Sequence, residues 1–470
     1  MLAVCTALGC QAQPAGVSFE PVRFEDGTAV NQEEEGLAAL LEADSLRKET
    51  VLKGTDTLLV FRHASAFVRL SLGGLPPGGH IDRIDVVPMY GELPDSWTPF
   101  PVPEGGIDIP PSGTLTSWSM LPPQSLDALA VLVRGEGFWS ARIPGAGLQG
   151  GTAYRWTVTC LPPGAPPSGL KATLLNQTAV DIDPGQYSGL AWLGGDRYAV
   201  VDDKLPGGGL LHATISIDGS GAVGTMSLRP ANGTVEANGK NRDCEGIAFD
   251  PASNTLYITS EKHQEIRGYD LAGNPTGAFL QVPGDLKDIS GNLGFEALTF
   301  NGRTGRFWTT TEAPLRRDTF LPRLLRLQCF DTGGKPAGRY FYQMDPPSRP
   351  AGSTVAYVHG VPALAALDDG RLLVLEREVY VPKGNLWDKL RNAFTDIRIY
   401  VVDPAGDPAG ILRKSRLCSF TTGALNLANF EGMCLGPTLP DGRRCLVLIA
   451  DSQKGSGGLT QEYLKVILLR

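Results

Sequence analysis

Apolar residues along this chain come in short runs broken by glycine, proline and aspartate, and almost nowhere repeat with the 3.6-residue period of a helix. In the first third, β-rich runs at 57–61, 66–72, 83–87, 114–119, 128–133 and 154–160 are separated by Gly/Pro turns. That spacing predicts a β-sandwich over 15–160. Residues 33–43 form the one convincing helical patch. The stretch 161–169, Leu-Pro-Pro-Gly-Ala-Pro-Pro-Ser-Gly, is excluded from helix and central strand by its prolines and reads as a linker.

Beyond the linker, over 170–470, the pattern repeats. Five times a polar residue, a small residue and an apolar run lead through a turn into a second apolar run that ends in acid. The copies begin at Ser188-Gly-Leu-Ala-Trp, Glu245-Gly-Ile-Ala-Phe, Glu296-Ala-Leu-Thr-Phe, His359-Gly-Val-Pro-Ala and Glu431-Gly-Met-Cys-Leu. Their second runs end at Asp203, Glu261, Glu312, Glu376 and Asp451. Most copies add a third strand closing on an Asp-x-x-Gly turn (Asp218, Asp270, Asp331, Asp403) and a fourth run after it. Four antiparallel strands per unit predict a β-propeller. The last copy stops after its third strand, 462–469, and the orphan run 170–181 would supply the missing fourth and close the ring. The expected fold is therefore all-β: an N-terminal β-sandwich followed by a propeller of five blades, or six if one has lost its signature.

Composition narrows the function. Glycine (58) and proline (36) make up a fifth of 470 residues, which excludes helical bundles and coiled coils. The 42 basic residues face 50 acidic ones and form no basic run, so nucleic acid is not an expected partner. No apolar stretch is long enough for a transmembrane helix. Residues 1–12 read as the remnant of an export signal, and Ala7-Leu8-Gly9-Cys10 loosely matches a lipobox. Export to the cell surface, the periplasm or the medium is expected, with a lipid anchor through Cys10 as one form of it. The other cysteines show no CxxC spacing and are expected as buried small hydrophobes.

In a hairpin the start of the first strand and the end of the second share one end. Glu245 is thus expected near Glu261, Glu296 near Glu312, Glu431 near Asp451, and His359 near Glu376, all ringing the channel mouth if the first strand is innermost. So many like charges raise pKa values or demand a cation, and oxygen ligands favour Ca2+, then Mg2+. Glu245, Glu261, Glu296, Glu431 and Asp451 are the candidate metal ligands, and His359, Glu376 and Glu312 the candidate groups for proton transfer. Lys204, Arg316 and Arg377, which follow acidic strand ends, are candidates for holding a substrate anion. The competing reading is structural: acids capping strands, and basic loop tips. No Gly-x-Ser-x-Gly, Walker A or His-Glu-x-x-His pattern occurs, which disfavours a serine-hydrolase mechanism. The segment 381–396 reads as a lid beside the mouth or a helical decoration.

The segments Tyr187-Ser-Gly-Leu-Ala, Asn241-Arg-Asp-Cys-Glu-Gly-Ile-Ala-Phe, Gly294-Phe-Glu-Ala-Leu and Asn429-Phe-Glu-Gly-Met resemble the phytase-like esterase domain family over about residues 170–470. The resemblance implies a β-propeller and, by kinship with propeller phytases, calcium-dependent hydrolysis of phosphoric esters. Five copies depart from the six blades of those phytases. Phe61-Arg-His-Ala-Ser-Ala-Phe-Val-Arg-Leu-Ser-Leu and Gly150-Gly-Thr-Ala-Tyr-Arg-Trp-Thr-Val-Thr are similar to segments of fimbrillin-like surface β-sandwiches. Three functions stay open: a metal-dependent hydrolase of a small anionic ester, a non-catalytic surface module for glycan or protein, and a lactonase-like metal propeller.

Overall fold

Some strands of this chain bury alternate residues and others bury nearly every residue, and the two patterns belong to different units. A computed structural model describes residues 18–23, 44, 46–53, 56–90, 100–162, 169–205, 209–231, 242–289, 293–318, 321, 323–348, 354–406, 410–423, 426–452 and 461–470. The predicted helix at 33–43, Cys5 and Cys10 lie outside these residues. Chain contacts define one unit of Met1–Pro163 with Pro408–Ile411, and another of Gly164–Asp407 with Leu412–Arg470.

The first unit contains two four-stranded sheets. One runs Ser18–Arg23, Thr152–Thr159, Ala66–Gly73, Leu115–Leu121, and the other Phe138–Ile143, Leu129–Gly135, His80–Pro88, Ile107–Asp108. Thr152–Thr159 alternates buried and solvent-facing residues along its second half, as a strand with one covered face should. Leu70, Leu72 and Trp156 from the first sheet join Ile84, Val131 and Val133 from the second in one core, so the unit is a β-sandwich.

The second unit has five antiparallel sheets among the described residues, four of four strands and one of five, in which the short Thr178–Ala179 also pairs with Tyr463–Leu469. Blade one is Tyr187–Gly194, Arg197–Asp202, Leu210–Ile217 and Val223–Pro230. Blade two is Cys244–Asp250, Thr255–Ser260, Glu265–Tyr269 and Pro275–Leu280. Blade three is Phe295–Asn301, Arg306–Thr311, Leu324–Phe330 and Pro336–Gln343. Blade four is Thr354–Ala366, Leu372–Pro382, Phe394–Val402 and Lys414–Gly423. Blade five is Asn429–Thr438, Arg444–Asp451 and Tyr463–Leu469, completed by Ala172–Leu174, which pairs antiparallel with Tyr463–Leu469. The orphan run thus closes the ring. Strands such as Thr255–Ser260 and Tyr463–Leu469 are buried at every position because each blade packs on both faces.

Those faces form one apolar core per blade boundary. Leu256 joins Val201 between blades one and two, Tyr257 joins Phe307 between two and three, and Leu327 joins Leu372 between three and four. Leu375 joins Leu448 between four and five, and Val447 joins Val200 between five and one. The fifth boundary returns to the first blade, so the second unit is a closed five-bladed β-propeller.

Local chemistry sets the corners. Asp270, Asp331 and Asp403 each accept a backbone N–H of their own turn, and Gly273 and Gly334 stand at positive φ, where a side chain would be strained. The segment after Leu372–Pro382 forms a short helix, Leu386–Asn392, with a capping box between Asn385 and Asp388. Among the described residues no helix is long and apolar enough to cross a membrane. Four of the six described cysteines are buried, and all six are free thiols.

Candidate functional site

Each innermost strand carries a β-bulge at one level of the channel, and the bulge aims one extra side chain. In blade one the pairing passes from Tyr187↔Asp202 to Gly189↔Val201, leaving Ser188 as the extra residue. In blade three it passes from Phe295↔Thr311 to Ala297↔Thr310 around Glu296, and in blade five from Phe430↔Ala450 to Gly432↔Ile449 around Glu431. Glu245 and Gly246 share the bulge of blade two. The residue after each bulged acid must be small: a Cβ on Gly246 would lie 2.4 Å from the carbonyl oxygen of Glu296.

Blade four differs from expectation. Its bulge lies between Gly360↔Arg377 and Ala363↔Leu375, so Val361 takes the position that Glu245, Glu296 and Glu431 hold elsewhere. His359 stands earlier on the strand, opposite Glu378, and is not a ring member. The N–H of Glu261 bonds to the carbonyl of Asp243, that of Glu312 to Gly294 and that of Asp203 to Gln186. By the same register, the terminal acid of blade four is Glu378 rather than Glu376. A two-residue slip in the blade-four alignment accounts for both corrections, because neither the bulge nor the long hairpin leaves a mark in sequence.

The bulges gather the carboxylates. One oxygen each from Glu245, Glu261 and Glu296 lie within 4.8 Å of one another, and so do oxygens of Asp203, Asp243 and Glu245. Glu245, Glu261 and Glu296 are buried. Glu261 accepts the Gly294 N–H on Oε1 at 2.6 Å, while its buried Oε2 has no partner among the described residues. Oδ1 of Asp203 is buried and unpartnered likewise. Such an all-oxygen set with excess negative charge could bind a metal ion.

Electrostatics follow from burial. Glu245 is pushed well above the ordinary carboxylate range by desolvation and then by the charges of Glu431 and Asp203, and Glu296 by desolvation and then by Glu245, Glu312 and Glu431. Glu261 and Glu431 are raised by burial too. Asp203 is pushed up to about 6 by burial, against the pull of Lys204. Across the mouth Arg377 donates from Nη1 to Glu431 and from Nη2 to Glu312 at 2.5 Å, and Asn429 joins at 3.0 Å. Burial disfavours its charge, but Glu431, Glu312 and Glu296 outweigh that and hold it cationic.

The other expected site residues fall as follows. Lys204 reaches Asp203 at 2.5 Å and Asp243 at 2.7 Å. Arg316 is exposed and pairs with Asp288, a member of neither carboxylate group. Glu376 faces the other side of its strand from Arg377, accepting from Tyr342 at 2.6 Å and from Lys414 at 2.5 Å in a buried network. Asp451 is buried but belongs to neither carboxylate group. His359 is half-buried, its pKa lowered by desolvation, and its buried Nε2 has no partner among the described residues. Sequence reasoning missed Asp243, whose signal was its place two residues before Glu245. It adopts φ 52°, a left-handed conformation that aspartate tolerates better than most residues.

Leu190, Ile247, Leu298, Ala363 and Met433, one from each blade, line with Glu296 and Glu431 a void of about 10 Å3, room for one water at most. Leu190, Ile247, Leu298 and Met433 also line a cavity of about 350 Å3, together with Trp192, Phe249, Phe300 and Leu435 and with the polar Asn301, Asp368 and Arg444.

The family described as "Phytase-like: Esterase-like activity of phytase" matches residues 182–453. No curated protein matches the chain. Among solved structures, the PQQ-bound aldose sugar dehydrogenase of Streptomyces coelicolor is similar at 14% identity and TM-score 0.35, over 65% of this chain and 100% of that one. The periplasmic gluconolactonase of Pseudomonas aeruginosa is similar at 15% identity and TM-score 0.27, over 73% and 82%.

Proposed function

The chain belongs to the phytase-like family of esterase-like proteins, and from that premise we propose that its propeller hydrolyses a small anionic ester, a phosphoric ester first, at the carboxylate-lined mouth. The observation that carries the reading is the convergence of Glu245, Glu261 and Glu296 within 4.8 Å, with the second oxygen of Glu261 buried and unpartnered. A hard cation fits this donor set, Ca2+ before Mg2+, because all its ligands are oxygens and the charge is negative. Glu245, Glu261 and Glu296 would hold it. When bound, the ion supplies Lewis-acid polarisation of an ester oxygen.

The chain's own groups divide the remaining work. Asp203, with its pKa moved to about 6, is poised to accept a proton near neutral pH, a role expected from the sequence for His359, Glu376 and Glu312. The two terminal nitrogens of Arg377 are taken by Glu312, Glu431 and Asn429, and Arg316 is paired with Asp288, so neither is assigned the substrate anion. Their part passes to the cation. Leu190, Ile247, Leu298, Ala363 and Met433 put apolar surface beside Glu296 and Glu431 around a void too small for more than one water. Export stays part of the reading, carried by the apolar residues 1–10.

The test is a screen of chelator-stripped full-length protein against phosphate monoesters, phosphodiesters and lactones, with and without calcium, beside Glu261→Gln. Calcium-dependent turnover lost in the variant supports the reading. Absence of both turnover and any calcium-dependent stability shift overturns it. The bridge from Glu312 through Arg377 to Glu431 joins three blades and favours a second reading, a non-catalytic surface module whose mouth acids are structural; that outcome would select it.

A further inference from the structure

Two carboxylate groups meet at Glu245, yet they differ in what already neutralises them. In the first, Glu245, Glu261 and Glu296 have no lysine or arginine bonded to Glu261, whose Oε2 is buried without a partner among the described residues. In the second, Asp203, Asp243 and Glu245 share their space with the ammonium of Lys204, 2.5 Å from Asp203 and 2.7 Å from Asp243. Those distances approach the roughly 2.3–2.6 Å of calcium to oxygen. The nitrogen stands about where a cation would.

We infer that Lys204 is the resident cation of the second group, so that the mouth takes one divalent ion, held by Glu245, Glu261 and Glu296, where its bare carboxylates would take two. This rests on the proposal that the mouth binds a hard cation. The ammonium is tethered to the strand end it neutralises, the backbone N–H of Lys204 donating to Asp202 Oδ1 at 3.0 Å, so its local concentration far exceeds that of a free ion. A second divalent ion has to displace it, and would then face the first across the shared Glu245. Arg377 does the same for Glu312 and Glu431 on the other side. The protein thereby leaves one sector of the ring vacant.

Equilibrium dialysis of the chelator-stripped full-length chain against calcium counts the ions directly. The expected result is one ion per chain for wild type and for Lys204→Arg, two for Lys204→Met, none for Glu261→Gln, and one for the Lys204→Met/Glu261→Gln double variant. Two ions in wild type, or one in a Lys204→Met protein that melts cooperatively, overturns the inference while leaving the metal reading intact. No ion in any variant overturns both. Should Lys204→Met fail to fold, Lys204→Gln serves in its place, since Lys204 is partly exposed and its removal leaves no cavity in an apolar core.

Discussion

The guanidinium of Arg377, on the second strand of blade four, is held against the carboxylate of Glu431, on the innermost strand of blade five. Both side chains are buried, and the same arginine reaches back to Glu312 of blade three.

Removing one partner of a buried ion pair leaves the other charge unpaired in a poor solvent. Arg377→Gln is therefore expected to lose about 3–5 kcal/mol of stability, measured by urea denaturation in calcium-free buffer. A loss below about 1 kcal/mol, the scale of a surface pair, would show that the bridge is solvated.

Calcium should stabilise wild type but not Glu261→Gln. At a hundredfold excess over Kd the expected gain is about 2.7 kcal/mol. Equal calcium-induced shifts in melting temperature for both proteins would remove Glu261 from the ligand set.

The pH dependence has a definite sign. A carboxyl whose folded pKa is raised binds its proton more tightly in the folded state, so stability is full below the unfolded value and declines as pH rises toward the folded one. For Asp203 that window runs from 3.8 to about 6, and the raised Glu245, Glu261, Glu296 and Glu431 add to it in the same direction. Metal-free protein should lose stability from pH 4 upward through about 6. Calcium affinity, which requires the ionised forms, should weaken as pH falls through the same range. Calcium titrations across pH 4–8 check both trends; a calcium affinity independent of pH would contradict them.

Gly246→Ala should destabilise the propeller by about 1–3 kcal/mol, the usual range for overpacking. The new methyl would meet backbone atoms, the carbonyl oxygen of Glu296 at 2.4 Å and the nitrogen of Leu298 at 2.8 Å, which cannot swing aside. Gly284→Ala, with nothing within 4 Å, is the matched control and should stay within about 0.5 kcal/mol of wild type. Thermal melts of the two variants decide.

Much of this was legible in the residues. The polar-small-apolar signature marks the bulge in four blades, at Ser188, Glu245, Glu296 and Glu431, where a small neighbour and apolar strands covered on both faces go with it; in blade four the bulge carries Val361 instead. The orphan run 170–181 announced the closure, and Ala172–Leu174 does pair with Tyr463–Leu469. Glu245, Glu261 and Glu296 were visible as acids at equivalent corners. Blade four was misread, because a strand turns successive side chains to opposite faces and a shift of a residue or two reassigns them. Arg377 faces the mouth and Glu376 a network with Tyr342 and Lys414, a choice that no local feature of Leu-Glu-Arg-Glu reveals.

What the sequence determined by itself is the repeating four-strand unit and its order along the second part of the chain, since periodic burial and turn chemistry act over a few residues and are written there directly. Which carboxylates meet, and which cations meet them, was decided only by closing the ring. Glu245 and Glu296 lie on neighbouring strands in space but 51 positions apart in the chain, and Arg377 lies 54 positions from Glu431. Their energies of interaction arise from shared burial, which exists only once five separate apolar boundaries have formed and the last blade has packed against the first.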